Sequence, residues 1–244
     1  MSEDRVKCEA APCGALIEVA TNRILELERK LEKFAVASLE VLVTSYEARD
    51  SYMSGHSQRV AQFSATLAHR MGHTDGEVET VRLAARLHDI GMMMISDRTI
   101  NAEGPLSVEE RDQVRQHPMV GYQMLHPYLH LREVGRFIRG HHERWDGTGY
   151  PDGLAGDEIP WGARIIAAAE TYDALVTSRA YRKEIFTPAQ ACTRMHRMAG
   201  EAFDPAVIDA VSDMIGQRGA LEFLPDHEGP SLPGAVAALS LPHA

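Results

Sequence analysis

The chain has 244 residues, 44% of them hydrophobic and 25% charged, enough to bury one sizeable core with room for a small appendage. A formal net charge of -10 argues against a nonspecific grip on nucleic-acid polymers or on anionic lipid, while leaving room for a local basic pocket that takes a phosphorylated small molecule. Cys8, Cys13 and Cys192 form an odd set without metal-finger spacing, which points to a reducing compartment, the cytoplasm, and to no disulfide framework. The N-terminus has no basic segment followed by an apolar run, and no stretch approaches about 18 uninterrupted apolar residues, so neither a signal peptide nor a membrane span is expected.

From Ile17 the apolar residues recur as Ile17, Ala20, Ile24, Leu27, Leu31 and Phe34, then Ser38 in the slot and Val41, alternating three and four apart. This is a heptad seam, with Glu26, Glu28, Arg29, Lys30, Glu32 and Lys33 on the faces between. It predicts, within an N-terminal region over residues 1–46, a coiled-coil-like helix that joins two copies of the chain and serves as a stalk between a sensory or receiver partner and the domain that follows. Beyond it a helical period persists over residues 60–71, 76–88, 108–117, 122–125, 131–142, 163–177, 188–198 and 205–215, with little strand alternation, so the fold class is all-α. Ser107 with Glu110 three residues on, and Thr187 before Pro188, are helix-start signals. Segments 101–106 and 147–160, rich in Gly and Pro, are loops on a helical frame. The main domain is expected over 47–220, and the Pro- and Gly-rich tail over 221–244 is expected to be disordered. No internal repeat is evident.

Candidate chemistry gathers in a few short stretches. His141-His142 runs straight into Glu143-Arg144-Trp145-Asp146-Gly147-Thr148-Gly149-Tyr150-Pro151. Successive helical residues point about 100° apart, so both imidazoles reach one cation only where the helix ends, and the glycines and Pro151 mark such an end. His88-Asp89 interrupts the apolar run Leu83 to Ile90, a costly arrangement unless something pairs the two groups. His56 lies upstream and His117 downstream at similar spacing. Five histidines and one Asp from four helices have the donor types that borderline divalent metals accept, and a single Asp can bridge two ions. Paired cations would activate a water and stabilise charge in phosphate-ester hydrolysis. Arg59, Arg144, Arg179 and Arg182 lie within or near these segments, and a guanidinium fork suits phosphate oxygens.

These residues resemble the HD-GYP subgroup of the HD-superfamily phosphohydrolases, whose members hydrolyse cyclic di-GMP in bacteria. Besides His88-Asp89 and the 141–151 stretch, the resemblance takes in Ala48-Arg49-Asp50 with Gly55-His56-Ser57, and Gly104-Pro105-Leu106 with Glu109-Glu110. It continues through His117 with Gly121, and Ala174-Leu175 with Ser178-Arg179-Ala180-Tyr181-Arg182. It implies an HD-domain helical bundle in which His56, His88 and Asp89 bind one metal with Glu170, Asp89 bridges, and His117, His141 and His142 complete a second. His88 and Asp89 are then the catalytic pair, and Tyr150, Arg179, Arg182 and Arg144 face the substrate. Two divalent ions are implied, iron or manganese first, with zinc, nickel or magnesium as alternatives. The reaction implied opens cyclic di-GMP through a bridging hydroxide to linear pGpG and onward to GMP. Tyr52 stands where some members carry a Glu for a third metal, so two ions are expected here.

Three positions depart from the family pattern. Glu170 replaces an Asp, keeping the ligand type but moving the oxygen. Met92 follows His-Asp-Ile-Gly where a Lys is usual, and Ala102 replaces another Lys, so two cations that would meet a phosphate are missing. A catalytically weak receptor that binds a cyclic dinucleotide or a protein partner is therefore a second expectation, and hydrolysis of another cyclic dinucleotide or phosphate ester a third. If the missing charge limits turnover, Met92→Lys is expected to raise it. Glu143 and Asp146 are kept out of the ligand set, as carboxylates beside ligands often orient rather than coordinate. His69, His73, His126, His130 and His196 are read as surface or packing residues.

Overall fold

The computed structural model describes residues 11–48, 53–100, 104–177 and 185–218; Tyr52, Ala102, Arg179, Arg182 and the tail lie outside them. Among the described residues there is no β-strand, only isolated bridges between Asp146 and Ala155 and between Ala199 and Phe203. The helices are α1 (Ala11–Glu47), α2 (His56–Arg70), α3 (Asp75–Leu87), α4 (Asp97–Ile100), α5 (Val108–Val114), α6 (His117–Leu125), α7 (Arg132–Gly140), α8 (Trp161–Val176), α9 (Pro188–His196) and α10 (Pro205–Arg218). Short 3-10 turns cover Ile90–Met94, Leu129–Leu131 and Gly156–Glu158. No helix among the described residues is long and apolar enough to cross a membrane. The fold is all-α, as expected.

The chain divides into two units, Met1–Val41 and Leu42–Ala244. In the first, the described chain is α1, whose seam residues Ile17, Ile24, Leu27, Leu31, Phe34 and Val41 are all exposed. Between them Glu26 holds Arg23 at 2.7 Å and Lys30 at 2.6 Å, pairs at helical spacings that support the helix modestly.

In the second unit α8 is the axis. Gly162, Ala163, Ala168 and Ala169 on its buried faces are small, which lets α2, α3 and α7 approach it, while α9 and α10 pack against it as well. Ile165 and Ile166 of α8 join Leu67, Leu87, Phe137 and Ile138 in the core. Capping boxes start three helices: Thr74 with Glu77, Ser107 with Glu110, and Thr187 with Gln190.

Two helix boundaries differ from the sequence-based expectation in a way that matters. The expected helix over 108–117 breaks after Val114 and restarts at His117, because Pro118 lacks an N–H and fits only the first turn of a helix. The expected helix over 76–88 stops at Leu87, so His88-Asp89 sits at a junction rather than inside a helix.

Candidate metal centre

Three helices end in the same way. His88 directly follows α3, His117 follows α5 after two intervening residues, and His141 directly follows α7. Each Nδ1–H donates to the carbonyl three residues back, at Ala85 (2.8 Å), Val114 (2.8 Å) and Ile138 (2.5 Å). The last carbonyls of a helix have no intrahelical partner, so each imidazole satisfies one of them and is fixed in orientation by it. A proton on Nδ1 leaves Nε2 bare in the neutral ring, and all three Nε2 atoms point inward.

His56, the first residue of α2, arrives from the other side. Its Nδ1 donates to Asp173 Oδ2 at 2.7 Å, and Arg59 grips the same carboxylate through Nε at 2.5 Å and Nη2 at 3.0 Å. The geometry follows from two spacings of three on facing helices: His56 with Arg59 on α2, and Glu170 with Asp173 on α8. Asp173 is buried, and burial alone would raise its carboxyl; the His56 and Arg59 contacts outweigh that and hold it well below the usual carboxylate range.

Asp89 lies at the middle, with Oδ2 3.4 Å from His88 Nε2 and Oδ1 3.4 Å from His117 Nε2. One oxygen toward each imidazole is what a bridging carboxylate requires. Gly91 makes this possible: a Cβ there would collide with the His117 carbonyl oxygen, so only glycine lets the turn after Asp89 press against the backbone of α6. Ligand-capable atoms fall into three groups, each within 4.8 Å: His56, His88 and Glu170; His117, His141 and His142; and His88, Asp89 and His141.

The donor set fits metal. His88 Nε2 is buried and has no hydrogen-bond partner among the described residues. His117 Nε2 and His141 Nε2 stand 3.2 Å apart with their Nδ1 protons already engaged on carbonyls, so two lone pairs confront each other. Burial first, then neighbouring imidazoles, push His141 and His142 well below the ordinary histidine value; burial also lowers His117 despite Asp89 beside it. Burial opposes charge on His88 too, yet Asp89 and Glu170 raise it on balance, and the surrounding imidazoles hold buried Asp89 far down. Mostly neutral rings around an ionised carboxylate are the protonation states that ligands need.

His56, His88, Asp89, His117 and His141 are buried, whereas His142, Glu170 and Tyr150 are partly exposed and mark the open side. Tyr150 stacks on His142, ring centres 4.9 Å apart, and its amide donates to the His142 carbonyl at 3.2 Å. Gly149 permits this reversal, since a Cβ there would run into the Arg144 amide. Glu143 is buried as the hub of the same loop, accepting from the amides of Asp152, Gly153 and Leu154. The guanidinium of Arg115, an exposed residue, lies 5.4 Å from the centre of the Tyr150 ring.

All seven residues expected to ligate metal are therefore gathered at one place, and Tyr150 stands beside them. Arg144 is engaged within its own loop, 2.9 Å from Asp146 Oδ2 and 2.8 Å from Thr148 Oγ1, and Arg59 is committed to Asp173, so neither guanidinium is turned to a phosphate. Met92 is buried with Tyr46, Ile95, Ile100, Leu106 and Val114 in an apolar cluster. Sequence reasoning passed over Asp173 and Arg115. Only the repeated spacing of three on α2 and α8 could have pointed to the first, and nothing local points to the second.

A helical bundle that converges imidazoles and carboxylates on one buried spot defines a helical domain with a candidate metal centre. The chain belongs to the HD domain family, whose sequence profile matches residues 40–207, and it carries the His88-Asp89 and Gly149-Tyr150-Pro151 elements of the HD-GYP type. It is 36% identical over 203 residues to the cyclic di-GMP phosphodiesterase response regulator RpfG of Xanthomonas campestris pv. campestris, covering 80% of this chain and 53% of that protein. It is 35% identical over 170 residues to the 3'3'-cGAMP-specific phosphodiesterase 2 of Vibrio cholerae, covering 69% and 32%. The crystal structure of a cyclic GMP-AMP specific phosphodiesterase from V. cholerae shares the fold, with a TM-score of 0.58 at 17% identity over 75% of this chain and 49% of that one. The chain spans about half or less of the length of these curated relatives.

Proposed function

We propose that this chain is a metal-dependent phosphodiesterase that opens a cyclic dinucleotide, cyclic di-GMP first, to linear pGpG and onward to GMP. The observation that carries the reading is the convergence of imidazole Nε2 atoms around Asp89, with those of His117 and His141 facing each other at 3.2 Å. His56, His88 and Glu170 would hold one divalent cation and His117, His141 and His142 the other, with Asp89 reaching both; iron and manganese suit such nitrogen and oxygen donors. A bound pair supplies an activated water and neutralises charge on the phosphodiester.

The chain's own residues do the rest. The helix-end carbonyls keep three imidazoles in the tautomer that leaves Nε2 bare, and Asp173 aims the fourth. Burial holds the Tyr150 hydroxyl above its ordinary value, so it stays protonated and can donate to a phosphate oxygen at the open side. Arg115 beside it brings positive charge to the open side, and Arg179 and Arg182 are further phosphate contacts implied by the family resemblance. Relatives named for cyclic di-GMP and for 3'3'-cGAMP support the substrate class. A receptor that binds the nucleotide without turnover is the second reading, favoured by the place of Met92 in the core.

The exposed seam of α1 pairs with a second copy, and a sensory or receiver partner acts through it; a nucleotide messenger fits a reaction in the cytoplasm. The test is hydrolysis of cyclic di-GMP and 3'3'-cGAMP by protein loaded with Fe(II) without air or with Mn(II). Linear product that disappears on chelation is expected. Tight binding without product selects the receptor, and neither binding nor product removes both readings.

A further inference from the structure

The last turn of α1 ends in a buried acid. Glu47 retains 3% of its surface, beside buried Val43 and Tyr46, and a carboxylate in that setting needs partners. It has two. One oxygen accepts from the Ser57 amide at 2.6 Å, and the other lies 3.6 Å from Arg86 Nη1.

Both partners lead to the metal centre. Ser57 is the second residue of α2, whose N-cap Gly55 has no side chain to offer, so Glu47 supplies from another helix the acceptor that a capping Ser or Asp would give. The first residue of that capped turn is His56. Arg86 lies in the last turn of α3, two residues before His88, and also donates to Thr44 Oγ1 at 2.8 Å. One carboxylate thus steadies the start of the helix that presents His56 and the end of the helix that presents His88. These are two members of the group completed by Glu170. Neither contact of the Glu47 carboxylate leads to His117, His141 or His142.

We infer that Glu47 is a positioning residue for the His56–His88–Glu170 site, so that loss of its carboxylate weakens one cation site and spares the other. The inference rests on the metal reading above. It is tested by Mn(II) titration of the full chain, wild type against Glu47→Ala and Glu47→Gln, counting ions and their affinities. Two ions per wild-type chain are expected. In Glu47→Ala one ion should bind more weakly, by no more than the about ten- to a hundredfold lost when a ligand's own hydrogen-bond partner is removed, while the other is unchanged. Glu47→Gln, whose amide oxygen still accepts from Ser57, should show a smaller loss confined to the same ion. Unchanged affinities, equal weakening of both ions, or a Gln variant no better than Ala would overturn the inference. If Glu47→Ala does not fold, Glu47→Gln decides by itself: weakening of one ion supports the role, and no weakening or equal weakening overturns it. A wild type that binds fewer than two ions brings down the two-cation reading first, and this inference with it.

Discussion

Asp173 does for His56 what backbone carbonyls do for His88, His117 and His141: it fixes the ring and its tautomer. Asp173→Asn should therefore weaken metal binding about ten- to a hundredfold without removing any ligand; equilibrium dialysis against Mn(II) checks it, and unchanged affinity counts against the role. Met92 reverses an expectation. The sequence suggests that lysine at this position restores a lost phosphate contact, but the side chain packs among Tyr46, Ile95 and Val114, so Met92→Lys buries an ammonium without a partner. The effective penalty is on the order of several kcal/mol, and a thermal melt should show a clear fall in Tm rather than a gain in turnover. The ligand types were legible because histidine and aspartate in an apolar run are costly unless a partner compensates them. Arg59 was not, since nothing near it in sequence tells that its fork is committed to an Asp on a distant helix.

At the scale of elements, the helix endings build the site. Three helices stop where a histidine takes up a terminal carbonyl, and Gly91 lets the turn after one of them touch the backbone of α6. Helical period and caps are plain in the residues, hence the all-α class and the boxes at Ser107 and Thr187. Endings are harder to read: the apolar period runs across Arg115 and Gln116 without a break, and only Pro118 hints at the restart that turns His117 inward. On α1 the heptad leaves Ile24, Leu31 and Phe34 exposed, and this is the face proposed to pair with a second copy. Sedimentation of the chain lacking residues 1–35 should give a monomer where the full chain gives a dimer. An unchanged dimer would move the interface elsewhere.

For the whole molecule, the histidine cluster ties stability to pH. Folding depresses His117, His141 and His142 below the value of about 6.5 that an unfolded chain gives. Their contribution is whole above that value and is lost as the pH falls below it, because the unfolded chain then binds protons that the folded one refuses. His88 is raised, so its opposite contribution is complete below 6.5 and does not offset the loss there. Asp89 and Asp173, both depressed, add a further loss at still lower pH. Metal-free protein held in chelator should lose Tm steadily from about pH 6.5 to about pH 5, and a flat or rising profile would contradict the cluster's neutrality. The proposed chemistry depends in the end on paired cations around Asp89, and an anomalous difference map from crystals soaked in Mn(II) tests for them most directly. The prediction is two peaks flanking Asp89, about 3.5 to 4 Å apart, one toward His56, His88 and Glu170 and the other toward His117, His141 and His142. A single peak, or none beside that carboxylate, would contradict it.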